Sequence, residues 1–280
     1  MQRGKIKKKL ALVTSGGGTE CAYSAGAILA LAENYILKDP DIIIGGSGST
    51  VALSYYISGQ YESIRNIWIN LLDTNKLIDV FRINKILDID YLIDTIFKKQ
   101  DVLNSKKVYA SKSLYLIAAT NSKTGKLEYF SNKDGTNIFE NMRASMALPI
   151  AYNKTVRIKG NQFCDTPISS SIELNVKKAI DLGANKIIVI NNEYIPPIMG
   201  SLFEAWLFLK NKHFKKNYNN ESKLQKNFNL LQNVKLLYIA PKKKIKTEIL
   251  DSNKKHIKST FEQGYKEILE NKELKKFLLK

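Results

Sequence analysis

One serine in the sequence has neighbours small enough to leave its hydroxyl accessible. Ser47 lies between Gly46 and Gly48 in the stretch IIIGGSGST, directly after an apolar run. A sharp turn from a strand into a helix exposes a serine in this way, and it requires neighbours with little or no side chain. Such a serine can attack an acyl carbonyl once a base removes its proton. The alternative is that Ser47 is only the polar residue of a tight glycine turn.

A second glycine cluster offers the other groups that acyl transfer needs. Gly16, Gly17 and Gly18 follow the apolar run LALVT. Backbone N–H groups of such a loop can stabilise the oxyanion that forms on the attacked carbonyl. A phosphate-binding loop or a plain turn is the alternative, since a lone glycine loop is a weak signal. Both clusters lack the GK[ST] ending of a P-loop, which excludes that motif.

The base that would activate Ser47 has one good candidate. Asp165 follows the apolar stretch QFC, and we predict that it acts directly on the serine as a Ser-Asp dyad. An aspartate that caps a turn is the alternative. His213 and His256 lie in lysine-rich stretches and are predicted to be surface residues. The order Ser47, Asp165, His256 matches that of α/β-hydrolases, but Ser47 comes very early in the chain for that fold.

Two consecutive strand-loop-helix units are predicted to position these residues. The first unit joins KLALVT to CAYSAGAILALAENYIL, and the second joins DIIIGGSGS to TVALSYYISG. Two such units predict a parallel sheet with helices on its faces. Ligands bind at the carboxyl edge of such a sheet. This edge would place the glycine loop beside Ser47.

The remaining elements continue this alternation, so we expect a single domain over residues 1–280. Helices are predicted within residues 61–104. Further predicted elements are a hairpin SLYLIAATN with GKLEYFS, a hairpin around Lys159-Gly160-Asn161, a helix ELNVKKAIDLG, and strands NKIIVIN and VKLLYIAP. Residues 209–229 are rich in Lys and Asn and are predicted to form a solvated, mobile segment.

Taken in order, these motifs resemble those of the patatin-like phospholipase family. SGGGTEC resembles its oxyanion loop D-G-G-G-x-[RK]-G, GGSGS its G-x-S-x-G elbow, and CDTPISSSIEL its D-G-[GA] strand end. The stretches AATNSKTGKLEYFSN, RASMALPIAY and KKAIDLGANKIIVI also resemble family segments in the same order. The resemblance covers residues 8–195 and leaves a basic part at 196–280. It implies a three-layer α/β fold with a mainly parallel central sheet and helices on both faces.

The resemblance also implies a function. Ser47 would be the nucleophile, Asp165 its dyad partner, and Gly16, Gly17 and Gly18 the oxyanion hole. The protein would be a serine lipid acyl hydrolase of phospholipase A, lysophospholipase or esterase type that needs no metal or other cofactor. Its substrates would be phospholipids or other acyl esters, and cleavage of a phospholipid would release a fatty acid and a lysophospholipid.

Five departures from the family pattern bear on the candidate site. Glu20 replaces an Arg or Lys, Cys21 and Ser49 replace glycines, and Thr166 and Pro167 stand where glycines follow the aspartate. Glu20 adds a negative charge near a site meant to stabilise an oxyanion. Proline fixes φ and removes an N–H, which affects how Asp165 is presented. These departures favour an alternative, a catalytically weak or inactive relative that binds lipid or membrane through the same cleft.

Composition and charge point to an anionic membrane surface as a partner. The formal net charge is +18, and residues 201–280 hold 19 Lys and Arg against 8 Asp and Glu. Such a surface attracts anionic lipid headgroups. No nucleic-acid-binding motif accompanies the charge, so nucleic acid is not an expected partner. The alternative is a solvated basic face without a partner.

The expected location is cytoplasmic, with peripheral membrane contact. No apolar run is long enough to span a bilayer, and no secretory signal is evident. The stretch SLFEAWLFLKNKHFKK is predicted to be an amphipathic helix that lies at the lipid interface or packs on the core. Its apolar residues are Leu202, Phe203, Trp206, Leu207 and Leu209. Cys21 and Cys164 give no disulfide framework and no zinc-ligand spacing.

Overall fold

The computed structural model describes residues 9–192 except 36, 73, 83 and 84, together with residue 220 and residues 234–279. Within these residues eight strands form one sheet. The strands are β1 (Leu10–Thr14), β2 (Ile42–Gly46), β3 (Leu114–Asn121), β4 (Leu127–Ser131), β5 (Val156–Ile158), β6 (Asn161–Cys164), β7 (Lys186–Ile190) and β8 (Lys235–Ile239). Their order is β5-β6-β3-β2-β1-β7-β8, with β4 also beside β3.

The centre of the sheet is parallel. Strands β3, β2, β1, β7 and β8 run in one direction, whereas β4 and β6 are antiparallel to β3 and β5 is antiparallel to β6. In register, Ala11 of β1 lies opposite Ile42 of β2 and Ile187 of β7. All residues of β2 and β7 are buried, because a parallel sheet carries helices on both faces and its strands are therefore apolar throughout.

Helices cover both faces of this sheet. They are α1 (Ala22–Asn34), α2 (Ser49–Ile57), α3 (Tyr61–Asn66), α4 (Thr74–Leu77), α5 (Ser105–Ala110), α6 (Ile138–Met146), α7 (Ile172–Asp181), α8 (Lys254–Leu269) and α9 (Lys272–Leu279). A 3-10 turn (Gly18–Cys21) precedes α1, and π-helices span Ile67–Leu71 and Tyr91–Gln100.

The two faces of the sheet belong to separate apolar clusters. Leu12 and Ile43 share one cluster with residues of α1, α2, α6 and α8. Val13 and Ile44 share the other with residues of α7. The sheet is thus the middle of three layers, and the predicted three-layer, mainly parallel α/β fold with helices on both faces is confirmed.

Both predicted hairpins are present. Strand β3 pairs with β4, and β5 pairs with β6 across a turn at Lys159 and Gly160. Their φ angles of 47° and 80° are both positive, which is the geometry of a two-residue hairpin turn that matches the twist of the strands. Helix α7 begins after Ser171, whose hydroxyl accepts from the Leu174 N–H at 3.3 Å, and this side chain caps the helix.

Strand β3 brings the ends of two other strands together. Strand β4 occupies one side of β3, so β2 and β6 must share the other side. There Ala118 pairs with Gly46 at the end of β2, and Thr120 pairs with Cys164 at the end of β6. Because β2 is parallel and β6 antiparallel to β3, their carboxyl ends point toward each other. The residues that follow these ends, Ser47 and Asp165, therefore meet.

Helix α8 was not among the predicted elements. It crosses α1 at close range: a Cβ on Gly26 would lie 2.0 Å from the Phe261 carbonyl oxygen, and one on Gly264 would lie 2.0 Å from that of Tyr23. Only glycine permits such an approach. No helix within the described ranges is long and apolar enough to cross a membrane. The predicted amphipathic helix after residue 201, His213, and all but residue 220 of the Lys- and Asn-rich segment lie outside the described residues.

Candidate active site

Ser47 sits on a strained turn between β2 and α2. Its φ is 55°, a left-handed conformation that is uncommon for a residue other than glycine. The Ser47 N–H donates to Ser145 Oγ at 2.9 Å, and its carbonyl accepts from Thr50 Oγ1 at 2.7 Å. Ser145 Oγ in turn donates to the Ala118 carbonyl at 2.5 Å. These bonds hold the backbone in its unfavourable conformation, as strained functional sites require.

The Ser47 hydroxyl lies beside the carboxylate of Asp165 and favours its ionised form. Hydroxyl groups of Ser169 and Ser170 donate to Asp165 Oδ1 at 3.1 and 3.5 Å. Asp165 is 5% exposed. Burial raises its pKa to about 7, although the bonds from the three serines and from the Thr166 N–H act to lower it. A group with this pKa, within hydrogen-bond reach of a hydroxyl, is suited to take the proton of that hydroxyl.

The side chain of Asn192 holds the glycine loop. It is fully buried, and its Nδ2 donates to the carbonyls of Ser15 and Gly16, both at 3.1 Å. Its Oδ1 accepts from the Ser24 N–H, near the start of α1, at 2.9 Å. The two ends of a trans peptide unit point in opposite directions. Since the Gly16 carbonyl points to Asn192, the Gly17 N–H of the same unit points away from it.

The three glycines of this loop differ in what their N–H groups do. The Gly17 carbonyl accepts from the Glu20 N–H at 2.9 Å, so the Gly18 N–H of the same peptide unit points away from this turn. Within the described residues, Gly17 and Gly18 donate to no backbone carbonyl outside local helical structure. The Gly16 N–H already donates to the Ser170 carbonyl at 3.4 Å.

Gly16 instead permits close packing. A Cβ at this position would lie 2.8 Å from Ser47 Cβ and 2.1 Å from Ser170 Oγ, and real Cβ atoms do not approach other atoms so closely. The loop can therefore lie against the serine only with glycine at position 16. Of the three predicted oxyanion residues, Gly16 therefore permits close packing. The N–H groups of Gly17 and Gly18 point away from Asn192 and from the turn to Glu20, respectively.

Sequence reasoning missed Asn192 and Ser145. Asn192 follows β7, and Ser145 lies in α6, so neither is near Ser47 or the glycine loop in the chain. A partial signal exists for Asn192, since it is the second of two polar residues after the buried strand KIIVI, and these fall at the carboxyl edge where the glycine loop also lies. No comparable local signal marks Ser145.

The departure after Asp165 is accommodated by a turn. The Ser170 N–H donates to the Thr166 carbonyl at 3.3 Å and closes a turn that contains Pro167. Proline is favoured in the first turn of such a segment, where its missing N–H would have no partner in any case. Thr166 Oγ1 is hydrogen-bonded to Thr120 Oγ1 at 2.7 Å. Asp165 keeps its contact with Ser47 despite both replacements.

The other departures have different consequences. Ser49 is buried, and its hydroxyl donates to the Gly46 carbonyl at 2.8 Å. Cys21 is also buried; burial, together with the charges of Glu20 and Asp165, raises the pKa of its thiol well above the usual value, so it stays protonated and unreactive. The Glu20 carboxylate lies near Gly17, because a Cβ on that glycine would be 2.9 Å from Glu20 Oε2. Both cysteines are free thiols.

The histidine predicted as a weak alternative base has another partner. His256 Nδ1 lies 2.7 Å from Asp251 Oδ2, so the structure pairs His256 with Asp251 and not with Asp165. The side chain of His256 is 42% exposed, in keeping with the surface position predicted for it. Among the residues that the structure describes, the arrangement at Ser47 is therefore a serine beside a carboxylate, without an imidazole between them.

A serine on a sharp turn from a parallel strand into a helix, above an α/β sheet, is an arrangement that hydrolases use. The sequence matches the patatin-like phospholipase family over residues 12–176. This range exceeds half of the chain and contains the glycine loop, Ser47 and Asp165. The chain belongs to the patatin-like phospholipase family, a family of lipid acyl hydrolases, as its motifs predicted.

Known proteins resemble this chain in sequence and in fold. It is 25% identical over 209 residues to the uncharacterized protein YjjU of Escherichia coli (strain K12), an alignment that covers 71% of this chain and 57% of YjjU. The crystal structure of VipD from Legionella pneumophila is similar with a TM-score of 0.57 at 13% identity, over 94% of this chain and 66% of VipD. The similarity to VipD shows a shared fold. The chain thus spans only part of the length of either protein, 57% of YjjU and 66% of VipD.

Proposed function

We propose that the protein is a serine lipid acyl hydrolase that cleaves fatty acyl esters of phospholipids or related lipids through a Ser47-Asp165 dyad. One observation carries the proposal: the hydroxyl of Ser47, on a strained turn, lies beside a buried carboxylate whose pKa burial raises to about 7. A carboxylate with this pKa is a stronger base than an ordinary aspartate and still ionises near neutral pH. Family membership supports the same class of substrate.

In the first half of the reaction, Asp165 takes the Ser47 proton as Ser47 Oγ attacks the acyl carbonyl. The carbonyl oxygen becomes an oxyanion, which the N–H groups of Gly17 and Gly18 stabilise. The positive end of α2, which begins two residues after the serine, favours the same negative charge. When the intermediate collapses, the ester C–O bond breaks, and protonated Asp165 returns its proton to the leaving alkoxide. The acyl group stays on Ser47.

In the second half, Asp165 acts on water instead of on serine. It takes a proton from the water that attacks the acyl-enzyme, and the same two N–H groups stabilise the second oxyanion. Collapse releases the fatty acid, and Asp165 returns the proton to Ser47 Oγ. Each half-reaction leaves the dyad in its starting protonation state, so no metal or cofactor is required by this scheme.

The test is ester hydrolysis with Ser47→Ala and a matched histidine control. Wild type should hydrolyse a chromogenic ester and mixed phospholipid vesicles, and Ser47→Ala should lose this activity by about 10⁴-fold or more. His256→Ala removes a polar side chain paired with Asp251 and should stay within about threefold of wild type. Equal activity of wild type and Ser47→Ala on both substrates would overturn the proposal.

A second candidate, a weak or inactive lipid-binding relative, has one observation in its favour. The Glu20 carboxylate lies beside Gly17, where its charge opposes that of an oxyanion. If this charge limits catalysis, Glu20→Gln should raise kcat several-fold while Ser47→Ala abolishes it. If the second candidate holds, wild type, Glu20→Gln and Ser47→Ala should bind vesicles equally and hydrolyse nothing.

A further inference from the structure

Six exposed lysines near the glycine loop have no acidic partner among the residues that the structure describes. They are Lys242, Lys243, Lys244, Lys246, Lys255 and Lys258, referred to below as the basic rim. None of them forms an ion pair with a residue in the described ranges. Some lysines elsewhere do: Lys85, Lys98, Lys154 and Lys177 are paired with aspartates. Within the described part of the chain, the basic rim therefore carries charge without an acidic partner.

Contacts of the chain between these lysines fix the rim next to the candidate active site. The Ile249 carbonyl accepts from the Thr19 N–H at 3.0 Å, and a Cβ on Gly18 would lie 2.0 Å from this carbonyl oxygen. The Asp251 N–H donates to Thr19 Oγ1 at 3.1 Å. The segment from Ile249 to Asp251 thus lies directly against the loop proposed to bind the oxyanion. Four rim lysines precede this segment in the chain, and two follow it.

The second group of rim lysines is tied to the same place by His256. This residue lies in the first turn of α8, between Lys255 and Lys258, and its Nδ1 bonds Asp251. The first group is tied to α8 by two contacts: the Lys242 N–H donates to Glu267 at 3.0 Å, and the Thr247 N–H donates to Thr260 at 3.3 Å. Both groups therefore lie along α8, one before and one after the segment that contacts the glycine loop.

The composition of this surface favours lipid headgroups over nucleic acid. Residues 242–258 contain seven lysines against two acidic residues, and one of these, Asp251, is paired with His256. They contain no Phe, Tyr or Trp, the side chains on which proteins stack nucleic-acid bases. A cluster of lysines attracts an anionic membrane surface at about 1 kcal/mol per residue. The half-buried Ile249 and Leu250 lie between the two groups of lysines.

We propose that the basic rim binds the headgroups of an anionic phospholipid bilayer and presents the Ser47 cleft to that surface. The catalytic consequence rests on the proposed acyl hydrolase function, whereas the binding itself does not. Binding should weaken as salt rises, because the Debye length falls from about 10 Å at about 0.1 M to about 3 Å at about 1 M. Hydrolysis of vesicles should increase with anionic lipid content, and hydrolysis of a soluble ester should not.

The test compares two charge-matched triple variants. Lys244→Glu/Lys255→Glu/Lys258→Glu changes the rim. Lys106→Glu/Lys107→Glu/Lys112→Glu changes three exposed lysines that precede β3, at the opposite edge of the sheet. Binding is measured in a Ser47→Ala background by sedimentation with phosphatidylcholine vesicles that contain or lack phosphatidylglycerol. The rim variant should lose about 100-fold in partition to anionic vesicles, and the control variant less than about fivefold.

Each other result overturns the proposal. Equal losses in both variants would show a general effect of net charge, and no loss in either would show that the rim does not bind membrane. Tighter binding of wild type to duplex DNA than to anionic vesicles at matched salt would assign the rim to nucleic acid. Circular dichroism and thermal unfolding verify that both variants fold. Because binding is measured without Ser47, it decides the proposal even if wild type hydrolyses no ester.

Discussion

Two aspartates in this protein occupy opposite electrostatic environments. Asp165 is surrounded by hydroxyl groups and buried, and burial raises its pKa to about 7. Partial burial also acts to raise the pKa of Asp90, but hydrogen bonds from Lys154, Tyr152 and Lys85 and the charge of Arg143 lower it to about 2. Both side chains are well bonded, but only Asp90 is bonded to cations. The same residue type therefore titrates near neutral pH in one place and stays ionised in the other.

The difference shows what each region is built to do. Neutral donors leave a carboxylate able to exchange a proton near neutral pH, whereas cations hold it ionised. The two regions are also joined through one helix. Arg143 of α6 pairs with Asp90, and Ser145 of the same helix accepts from the Ser47 N–H. The ion-pair network thus anchors the helix that positions the elbow and takes no part in the proposed chemistry.

The sharpest test of this contrast is Asp165→Asn. An amide has the shape of the carboxyl group but cannot accept the Ser47 proton, so kcat should fall by about 10⁴-fold. Ser47→Ala/Asp165→Asn should be no worse than either single variant, because the two residues act as one unit. Ester hydrolysis measures the effect, and thermal unfolding shows whether the variant folds. A fall of less than tenfold would remove Asp165 from the mechanism.

The pH dependence of activity tests the pKa itself. The unprotonated carboxylate is the base, so kcat/KM should rise with pH, level off above about pH 7, and fall about tenfold per unit below it. Removing the Ser169 hydroxyl, which donates to Asp165, should raise the pKa of Asp165 further. The fall of kcat/KM at low pH, the acid limb of the profile, should then move to higher pH. A limb near pH 4 would mean that Asp165 titrates as an ordinary aspartate.

The same pKa predicts the opposite trend for stability. The folded-state pKa of about 7 exceeds the unfolded value of about 3.9, so the folded state holds the proton more tightly. This contribution to the free energy of unfolding is full below about pH 4 and is lost as pH rises through 7. Thermal unfolding from pH 4 to pH 8 measures it. Asp165→Asn should lack this component, whereas Asp90→Asn should retain it.

Local sequence was sufficient for the residues that carry the proposed chemistry. Ser47 and the glycine loop follow apolar strands, and their small neighbours are needed where backbones approach closely, as at Gly16. Asp165 follows a strand in the same way. Such signals lie within a few residues of the groups they mark. The order of these motifs then indicated the family and its fold.

The supporting residues could not be predicted because they act across long chain separations. Asn192 reaches Gly16 across 176 residues, and Ser145 reaches Ser47 across 98. Each contact depends on the order and register of strands, which a single sequence does not reveal. Helix α8 was missed for a related reason: its packing on α1 through Gly264 is visible only when both helices are placed.

A smaller effect on catalysis is expected from Asn192→Ala. Loss of its bonds to the Ser15 and Gly16 carbonyls lets the Gly17 peptide unit reorient. We expect kcat to fall by about tenfold to 100-fold, less than loss of the base and within the range for a disturbed oxyanion donor. KM should change by less than about twofold, because the loop acts on the transition state.

Asn132→Ala is the matched control for Asn192→Ala. Asn132 is also a buried asparagine whose Nδ2 donates to two carbonyls, those of Val108 and Ser113, at 2.9 and 3.1 Å. It lies at the opposite end of β3 from the site. Both variants should lose similar stability, and only Asn192→Ala should lose kcat. If kcat fell equally in both, Asn192 would have a structural role alone.

The smallest effect on activity is expected from Asp90→Asn, the counterpart of Asp165→Asn. The amide loses the charge that pairs with Arg143, Lys154 and Lys85, so the free energy of unfolding should fall by about 2 kcal/mol. Because Asp94 and Glu140 still pair with Arg143, α6 should stay in place. The value of kcat should then remain within about threefold of wild type, with the acid limb still near pH 7. A shifted limb would show that the Asp90 network sets the pKa of Asp165, and the two regions would no longer be separable.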